Sequence, residues 1–438
     1  MSEKRYLKIN VYQAAQQRLE YIFNEFDNIY VSFSGGKDSG LLLNLVIQYM
    51  RKHGITKKIG VMHMDYEAQY TETTNYVERE MAANHDLIDP YWICLPMQVP
   101  CTTSMYQTSW TPWEPTEREI WVRDMPDYPY VINLDNNPFD FYEQGMIDYR
   151  IQDKFLRWYQ QKNGGGKTCA LVGIRTQESL SRYCAIMNKV DMWKGKIWTT
   201  NASKDTCAAY PLYDWETDDI WIANSKFGFD YNKLYDLMYY AGIKPHDMRV
   251  ASPFLGTAQE SLNLYRIIEP KTWSKVVGRV NGANFTAIYG GTKAMGFKDI
   301  TVPKGHTWKS YLDFLLDTLP EDTREKYRVK FESSIDYWTV KGGALLKETA
   351  DELREKDAPC QFLGQPKRNV KYTQAMEQVL FTEYPDDLDV EDFKSVPSYK
   401  RMCIAILKND YACKYMGFGL TKFDMQKRQA AIEKYKNL

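Results

Sequence analysis

Apolar positions in the first 175 residues follow two alternating spacings, and these predict alternating strands and helices. Residues 11–26 repeat apolar side chains every three or four positions, as on one face of a helix. Short apolar runs predict buried strands at about 29–33, 58–64, 91–95 and 168–174, with helices at about 40–54, 71–84 and 146–162. Because strands that alternate with helices form parallel sheets, we predict an α/β fold with a doubly wound parallel sheet.

The alternation fades after about residue 250, where the pattern becomes mainly helical. A length of 438 residues also exceeds one ordinary compact domain. We therefore predict an α/β domain over residues 1–250 and a mainly α-helical C-terminal domain over 251–438. Between about 96 and 137 the pattern gives way to Pro, Trp, Tyr and Thr, which predicts a long aromatic insertion beside the functional site.

Composition narrows the class of protein. The chain has 56 Lys plus Arg and 57 Asp plus Glu, so its net charge of −1 argues against a basic coat for nucleic acid but leaves local basic patches open. No apolar run approaches the length of a membrane span, and Met1–Arg5 leads into an amphipathic segment instead of an apolar signal core. We expect a cytoplasmic protein with no membrane association.

The cysteines give no marked redox or metal motif. None of the eight forms a Cys-x-x-Cys pair, which favours reduced, mostly buried thiols. An iron–sulfur site assembled from scattered cysteines stays open as the alternative.

A glycine-containing turn between the first predicted strand and the next helix suits phosphate binding. Glycines let the backbone approach an anion, and the first N–H groups of the helix, with its dipole, attract negative charge. Within the turn the hydroxyls can donate hydrogen bonds, the lysine supplies a cation, and the aspartate is a candidate magnesium ligand. Its six residues are Ser34, Gly35, Gly36, Lys37, Asp38 and Ser39.

A second glycine run, Gly165-Gly166-Lys167-Thr168, has part of the Walker A pattern. Gln161 stands where that motif requires its first glycine, and a predicted helix precedes the run while a strand follows it. That order is the reverse of the Walker A context, so we interpret the run as the end of a helix.

A second candidate for anion binding follows the strand predicted at 168–174. Carboxyl ends of parallel strands are where doubly wound folds bind ligands. Arg175 and Arg182 have the planar, bidentate geometry that holds phosphate or sulfate oxygens, and Gly173 and Glu178 belong to the same segment. The alternative is a surface turn held by salt bridges.

Three segments carry a family resemblance, over about residues 28–225. Ser34–Ser39 resembles the PP-loop of ATP pyrophosphatases and phosphoadenylyl-sulfate (PAPS) reductases. Gly173–Arg182 resembles the Gly-x-Arg…Glu-Ser…Arg segment of the reductase-like family, and Tyr210–Trp221 resembles its Pro-hydrophobic-x-x-Trp segment. The resemblance implies ATP or PAPS as the nucleotide, with Gly173, Arg175 and Glu178 among its contacts, and it puts Asp65 near the nucleoside. The third segment is expected mainly to pack and to cap a helix.

The C-terminal half resembles the extension of the immunoglobulin-binding regulator A group, on the residues Tyr265–Ile267 and Phe285–Gly291. This resemblance implies a ParB-like protein partner. The chain departs from PAPS reductases in lacking their Glu-Cys-Gly-x-His segment, because Cys403 and Cys413 have no neighbouring histidine. The departure argues against reductive sulfur chemistry and leaves the nucleotide pocket unaffected.

Two further features carry chemistry. His246 lies in a turn and is a candidate general acid or base, with Arg249 as a companion anion contact, although a solitary turn histidine is commonly ordinary. The stretch 394–438 has ten Lys or Arg and three Asp or Glu, interleaved with aromatic residues. That mixture suits nucleic-acid contact, and equally the solvated face of packed helices.

The leading hypothesis is an enzyme that cleaves ATP at the α–β phosphate bond and adenylates a second substrate. Lys37, Arg175, Arg182 and His246 are the predicted catalytic residues, and a magnesium ion near Asp38 is the predicted cofactor. The second hypothesis is a sulfuryl-transfer or reductase-like enzyme that binds PAPS. The third is a nucleotide-sensing regulator that acts through a partner.

Overall fold

A largely parallel sheet is the centre of the N-terminal region in a computed structural model of the chain. The structure describes residues 8–104, 106–187, 191–255, 262–283, 300–366, 375–393, 395–416 and 418. Within them, seven strands follow the order β6-β3-β2-β1-β7-β9-β8, and all neighbours are parallel except β8 and β9. The strands are β1 (Asn28–Ser32), β2 (Ile59–Met64), β3 (Ile88–Ile93), β6 (Val131–Ile132), β7 (Thr168–Val172), β8 (Thr199–Asn201) and β9 (Thr206–Ala209). The predicted α/β sheet is confirmed.

Helices connect these strands, and the first four lie where the apolar spacing predicts them. The helix α1 begins with a capping box between Asn10 and Gln13, and α2 ends at Gly54, whose φ of 63° is left-handed. The helices are α1 (Val11–Glu25), α2 (Lys37–His53), α3 (Thr71–Ala83), α4 (Asp148–Lys162), α5 (Leu180–Met187), α6 (Thr217–Phe227), α7 (Leu234–Tyr240), α8 (Leu262–Ile268) and α9 (Pro270–Arg279). The run Gly164–Gly166 follows α4 with three positive φ angles and precedes β7, as expected for a helix end.

The sheet is buried because its strands are apolar on both faces. Every residue of β2 is buried, as in parallel sheets covered by helices. The core continues into α2, whose apolar positions Leu41, Leu42, Leu45 and Val46 are at most 1% exposed. At about 25 cal/mol per Å² of apolar surface, such burial is the main force that fixes the loop between β1 and α2 in place.

The C-terminal region is helical and also contains a small sheet. Its helices are α10 (Trp308–Asp317), α11 (Glu321–Asp336), α12 (Lys347–Glu355) and α13 (Tyr399–Leu407). An antiparallel sheet in the order β10-β12-β11 lies among them, and it was not predicted. Its strands are β10 (Gly343–Leu346), β11 (Cys360–Phe362) and β12 (Met376–Phe381).

The chain divides into two compact units, and each is built from three segments that alternate along the sequence. The described residues of Met1–Val99, Trp110–Pro253 and Ser261–Arg279 form one unit, and those of Pro100–Ser109, Phe254–Glu260 and Val280–Leu438 form the other. The predicted boundary at residue 250 therefore falls near one of several crossings, and α8 and α9 belong with the sheet.

The aromatic insertion is more ordered than the loop that its composition predicts. It contains β4 (Val99–Pro100), β5 (Ser109–Trp110) and a 3-10 helix at Pro115–Ile120, and it supplies the edge strand β6. Trp110 and Trp113 in this segment are 3% and 1% exposed. Across the described residues, no helix combines the length and apolarity that a membrane crossing requires.

Candidate nucleotide site

The turn between β1 and α2 has the backbone shape of an anion site. Gly35 has a φ of 75°, a left-handed conformation that favours glycine, and a Cβ there would lie 2.9 Å from Thr73 Cγ2. Gly36 is the N-cap of the 17-residue helix α2 and makes no side-chain cap hydrogen bond. The first turn of a long helix thus keeps donors for an anion.

This turn lies where the order of the sheet reverses. The strand β1 pairs with β2 on one side and with β7 on the other, and both pairings are parallel. The segments after β1 and β7 therefore emerge side by side at the carboxyl edge, which is where doubly wound sheets bind ligands.

The two serines of the turn hold its shape. Their hydroxyl oxygens are 2.9 Å apart, and Ser39 Oγ also accepts a 3.2 Å hydrogen bond from the Ser34 amide. Ser39 Oγ donates to the Gly36 carbonyl at 3.2 Å. The hydroxyls thus brace the turn from within.

Lys37 is buried, with 7% of its side chain exposed. Its Nζ donates to the Met248 carbonyl at 3.1 Å and lies 3.4 Å from Asp38 Oδ2. Its backbone N–H donates to the Tyr235 hydroxyl at 2.9 Å. The ammonium group therefore stays beside the helix end, and its hydrogen bond goes to a neutral carbonyl.

The segment after β7 packs directly against the loop, as its place in the sheet predicts. A Cβ at Gly173 would lie 2.9 Å from backbone atoms of Asp38 and Ser39, so close contact requires glycine. Arg175 is 2% exposed, and its Nε lies 2.5 Å from Asp38 Oδ1. Its Nη atoms donate to the Trp215 carbonyl at 3.3 Å and to Thr217 Oγ1 at 3.4 Å.

Through these contacts, Arg175 holds the loop in position. The guanidinium joins the loop to the start of α6, which Glu216 and Asp219 cap with a capping box. The third resemblance segment thus packs and caps as expected, and it also holds Arg175. We call Lys37, Asp38 and Arg175 the loop cluster.

The other predicted catalytic side chains are more exposed. Arg182 is 48% exposed and its Nε lies 4.0 Å from Glu178 Oε2, while Arg249 Nη2 donates to the Glu178 carbonyl at 2.9 Å. His246 is 66% exposed, with Nε2 at 3.3 Å from Asp247 Oδ2. The structure brings Glu178, Arg182 and Arg249 together, and it leaves His246 on the surface two residues from Met248.

The wall of the loop comes from residues that the sequence did not indicate. Asn232 Nδ2 donates to the Gly35 carbonyl and to Thr73 Oγ1, both at 2.9 Å. Tyr235 and Met248 contribute the contacts to Lys37 given above.

Asp65 is fully buried and is enclosed by hydrogen bonds. Its Oδ1 accepts the Glu67 amide at 2.8 Å, and its Oδ2 accepts Trp92 Nε1 at 2.7 Å and Arg123 Nη2. Burial alone would raise the pKa of Asp65, but the Arg123 charge, His63 and these hydrogen bonds outweigh it and hold the pKa below its usual value. All of these partners are protein groups, so the geometry gives Asp65 a structural role, and contact with the nucleoside stays a prediction.

Glu67 extends this network. Its carboxylate accepts the Trp113 and Val122 amides at 2.8 and 2.9 Å, and Arg279 Nε donates to it at 2.8 Å. Glu67 has 0% and Arg279 2% of its side chain exposed. We call Asp65, Glu67, Arg123 and Arg279 the insertion cluster, because it fixes the aromatic insertion onto the sheet.

Both carboxylate oxygens of Asp38, the predicted magnesium ligand, face protein cations. One of its carboxylate oxygens is bonded to Arg175 and the other faces Lys37, so a metal ion would meet two cations. In the described parts of the chain, no three His, Cys, Asp or Glu side chains are grouped as metal ligands. Magnesium usually enters such sites with nucleotide phosphates and one or two carboxylates, and Asp38 as its ligand stays a prediction.

The described cysteines lie mostly in the core. Cys169 and Cys207 are 0% exposed on the paired strands β7 and β9, with their sulfurs 3.6 Å apart. Burial raises the pKa of Cys169 well above its usual range, and burial raises the pKa of Cys413 to about 12. A buried thiol with a raised pKa is a poor nucleophile.

Two sequence families match consecutive parts of the chain. Residues 123–241 match the phosphoadenosine phosphosulfate reductase domain, and residues 242–427 match a domain of unknown function, DUF3440. The first match contains Gly173, Arg175, Glu178 and Arg182, and the Ser34–Ser39 loop precedes it. The reductase-like resemblance is confirmed for this segment, while the grouping with immunoglobulin-binding regulator A stays a prediction.

Solved structures show only distant similarity. A Candida auris PAPS reductase in a phosphate complex aligns with a TM-score of 0.31 at 13% identity, over 57% of this chain and 98% of that one. Candida glabrata FMN adenylyltransferase with FAD and pyrophosphate aligns at 0.30 and 14% identity, over 51% and 58%. The Methanococcus maripaludis U34-tRNA thiolase NcsA aligns at 0.31 and 11% identity, over 64% and 78%. TM-scores this low support no inference about ligand or reaction.

One relative is similar along nearly the whole chain. The Escherichia coli K12 protein named "Uncharacterized protein YbdN" is 33% identical over 422 residues, which cover 95% of this chain and 92% of YbdN. The chain therefore belongs to the same family as YbdN, and it joins a PAPS reductase-like segment to a DUF3440 segment.

Proposed function

We propose that the chain is an enzyme that binds ATP at the Ser34–Ser39 loop and cleaves its α–β phosphate bond, transferring the adenylyl group to an acceptor. The observation that carries this proposal is the loop itself. A left-handed Gly35, an N-cap without a side-chain cap, and a buried Lys37 meet at the point where the sheet reverses its order. Together they form a site for a polyphosphate.

The same groups suit pyrophosphate as the leaving group. A nucleophilic atom of the acceptor bonds to the α-phosphorus, the bond from that phosphorus to the bridging oxygen breaks, and the electron pair leaves with pyrophosphate. The acceptor's proton passes to solvent or to His246, which is exposed near Met248. The amides at the start of α2 and the Lys37 ammonium stabilise the charge that develops on pyrophosphate.

Arg175 and Arg182 have different roles in the proposed reaction. Arg175 is buried against Asp38 and holds the loop in its shape. Arg182 is half exposed beside Glu178 and is free to contact phosphate or an anionic acceptor. Magnesium is assigned to the phosphates of the nucleotide, and no step depends on Asp38 as its ligand.

The match of residues 123–241 to the PAPS reductase domain favours a second candidate, in which PAPS is the ligand and its sulfuryl group is transferred. Reduction by an enzyme thiol is less favoured, because the described cysteines are buried except Cys360, which is half-buried. A nucleotide-sensing regulator with a ParB-like partner shares the same pocket and differs in having no turnover. Nucleic-acid contact through 394–438 depends largely on residues outside the described ones.

Product analysis tests the leading proposal. The purified protein is incubated with magnesium and ATP labelled at the α- and γ-phosphates, with and without cell extract as a source of acceptor. The expected products are pyrophosphate and AMP or an adenylate, and ADP with orthophosphate as the sole products would contradict the proposal. Binding of PAPS without affinity for ATP would select the second candidate.

Lys37→Ala is the matching variant. We expect it to weaken ATP binding about a hundredfold without unfolding the chain, because a charged hydrogen-bond donor is lost from the anion site. Lys57→Ala is the control. Lys57 precedes β2 at the amino ends of the strands, away from the Ser34–Ser39 loop, and it donates to the Asp27 carbonyl at 2.6 Å. Equal ATP affinity in wild type and Lys37→Ala, measured by calorimetry, would remove the loop from the proposal.

A further inference from the structure

Tyr235 places a phenol group at the start of α2. The side chain is 3% exposed, and its oxygen accepts the Lys37 N–H at 2.9 Å. Trp221 packs edge-on against its ring with centroids 5.2 Å apart, and the Lys37 ammonium lies 5.5 Å from the ring centroid. These contacts fix the position of the hydroxyl.

The hydroxyl lies over the glycine turn. A Cβ placed on Gly36 would be 3.6 Å from the Tyr235 oxygen. The oxygen therefore sits beside the N-cap, in the direction to which the first amide of α2 points. An anion bound at this helix end would lie next to it.

The phenol also carries a hydrogen that can be donated. Burial, together with the nearby Asp38 charge, raises the pKa of Tyr235 above its usual range, so the group stays a neutral O–H. Among the hydrogen bonds of the described residues, Tyr235 appears as an acceptor from Lys37 and donates to no protein oxygen. A buried O–H without an acceptor is unfavourable, and a phosphate oxygen would satisfy it.

We propose that Tyr235 is a phosphate-binding residue, whose hydroxyl accepts the Lys37 amide and donates to an oxygen of the bound polyphosphate. The inference rests on the proposed function, because it requires phosphate at the Ser34–Ser39 loop. It adds to that loop a donor contributed by α7, about 200 residues further along the chain. The ligand class is a pyrophosphate or nucleoside triphosphate, recognised by its oxygens.

Tyr231 offers a matched comparison on the same segment. Its ring also packs edge-on against Trp221, at 5.6 Å, but its hydroxyl donates to Asp236 Oδ1 at 2.9 Å. Removing this hydroxyl changes a similar tyrosine with a similar neighbour and leaves the Lys37 amide untouched. A purely structural role for Tyr235 predicts similar effects at both positions.

Titration calorimetry of the full chain with inorganic pyrophosphate, ATP and adenosine tests the proposal. Tyr235→Phe should bind pyrophosphate and ATP about tenfold or more weakly, because a hydrogen bond to a charged oxygen is lost. Its affinity for adenosine should be unchanged, and Tyr231→Phe should bind all three probes like wild type. Thermal unfolding of each variant records whether the fold is kept.

Three results would overturn the inference. The first is pyrophosphate affinity in Tyr235→Phe within twofold of wild type, or tighter, which would make the hydroxyl a bystander or an obstacle. The second is equal weakening by Tyr231→Phe, which would indicate a packing effect. In both cases the proposed function survives if Lys37→Ala still weakens ATP binding. The third is a wild-type chain that binds neither pyrophosphate nor ATP, and this result would remove the proposed function as well.

Discussion

The loop cluster and the insertion cluster lie at the same edge of one sheet, yet they use buried charge in different ways. The insertion cluster surrounds Asp65 and Glu67 with two guanidinium groups, the Trp92 indole and three backbone amides. In the loop cluster, the Lys37 ammonium donates to a backbone carbonyl, and the N-cap residue Gly36 has no side chain to cap the helix beside it.

The difference shows that burial of charge does not by itself identify a binding site. The insertion cluster satisfies its carboxylates internally and therefore stabilises the fold. The loop cluster keeps hydrogen-bond donors whose acceptors an anion can replace. What separates them is the partner of the buried cation: carboxylates hold Arg123 and Arg279, whereas the hydrogen bond of Lys37 goes to a neutral carbonyl.

The strongest way to break this comparison is to remove a cation from the insertion cluster. Arg279→Met leaves Glu67 buried without its cation, and we expect the free energy of unfolding to fall by about 3–5 kcal/mol. Urea denaturation measures the loss. The control is Arg354→Met, because the Arg354 side chain is 40% exposed and loss of its ion pairs should cost about 1 kcal/mol or less. A loss no larger than the control would show that the insertion cluster does not carry stability.

Arg175 tests the loop cluster. We expect Arg175→Ala to lower kcat by about tenfold to a hundredfold and to change the Kd for ATP less, because the loop that meets the transition state loses its support. Asp38→Ala and the double variant complete a cycle, in which strongly non-additive effects indicate that Arg175 acts through Asp38. A larger change in Kd than in kcat would instead place Arg175 in direct contact with ground-state phosphate.

Glu80 sharpens the comparison, since it is a buried carboxylate without a strong cation partner. Burial raises the pKa of Glu80 from 4.5 to about 7, against the hydrogen bond from Asn44. The folded state therefore holds the proton more tightly than the unfolded chain, so this group's contribution to stability is complete below about pH 4.5 and is lost as pH rises to about 7.

Glu80→Gln should remove that loss. The variant should be more stable than wild type at pH 8 by on the order of 1–2 kcal/mol, with a much smaller difference at pH 5. Chemical denaturation across this pH range measures it. A difference that does not depend on pH would mean that the carboxyl is solvated or otherwise paired.

The smallest effect is expected at Cys207, a fully buried core residue of β9. Cys207→Ser should keep turnover within a few-fold of wild type, because a fully buried thiol against Cys169 cannot reach a substrate. Steady-state kinetics on the folded variant provide the measurement. Loss of activity without unfolding would restore the reductase interpretation.

Local patterns were enough to predict the loop and the four strands β1, β2, β3 and β7. The apolar run before Ser34 and the helical spacing after Lys37 are recorded in neighbouring residues, and so is the glycine that a left-handed turn requires. The same holds for Gly173 and Arg175, because the carboxyl ends of adjacent parallel strands must lie together.

Contacts across long stretches of sequence could not be predicted in this way. Asp65 pairs with Arg123, 58 residues away, and Glu67 pairs with Arg279 at a separation of 212 residues. Neighbouring residues do not reveal these partners, so Asp65 was interpreted as a ligand. Tyr235 was missed for the same reason, since only the folded chain brings it to the Lys37 amide. The strand β12 lacked a clear apolar pattern because four of its six residues are only partly buried.

Each compact unit is built from segments that alternate along the chain, so a single cut in the sequence cannot separate the two units. The two family segments meet at residues 241 and 242. Met248, Glu269 and Arg279 from the second segment nevertheless contact Lys37 at the start of α2, Thr71 at the start of α3 and Glu67 after β2. Within the other unit, Asn409 Nδ2 donates to the carbonyl of Thr102, a residue far earlier in the chain, at 3.1 Å. A protein fragment that ends at residue 241 would leave Lys37 and Glu67 without their partners Met248 and Arg279. The two family segments should therefore be expressed together, and evolution should keep them in one chain.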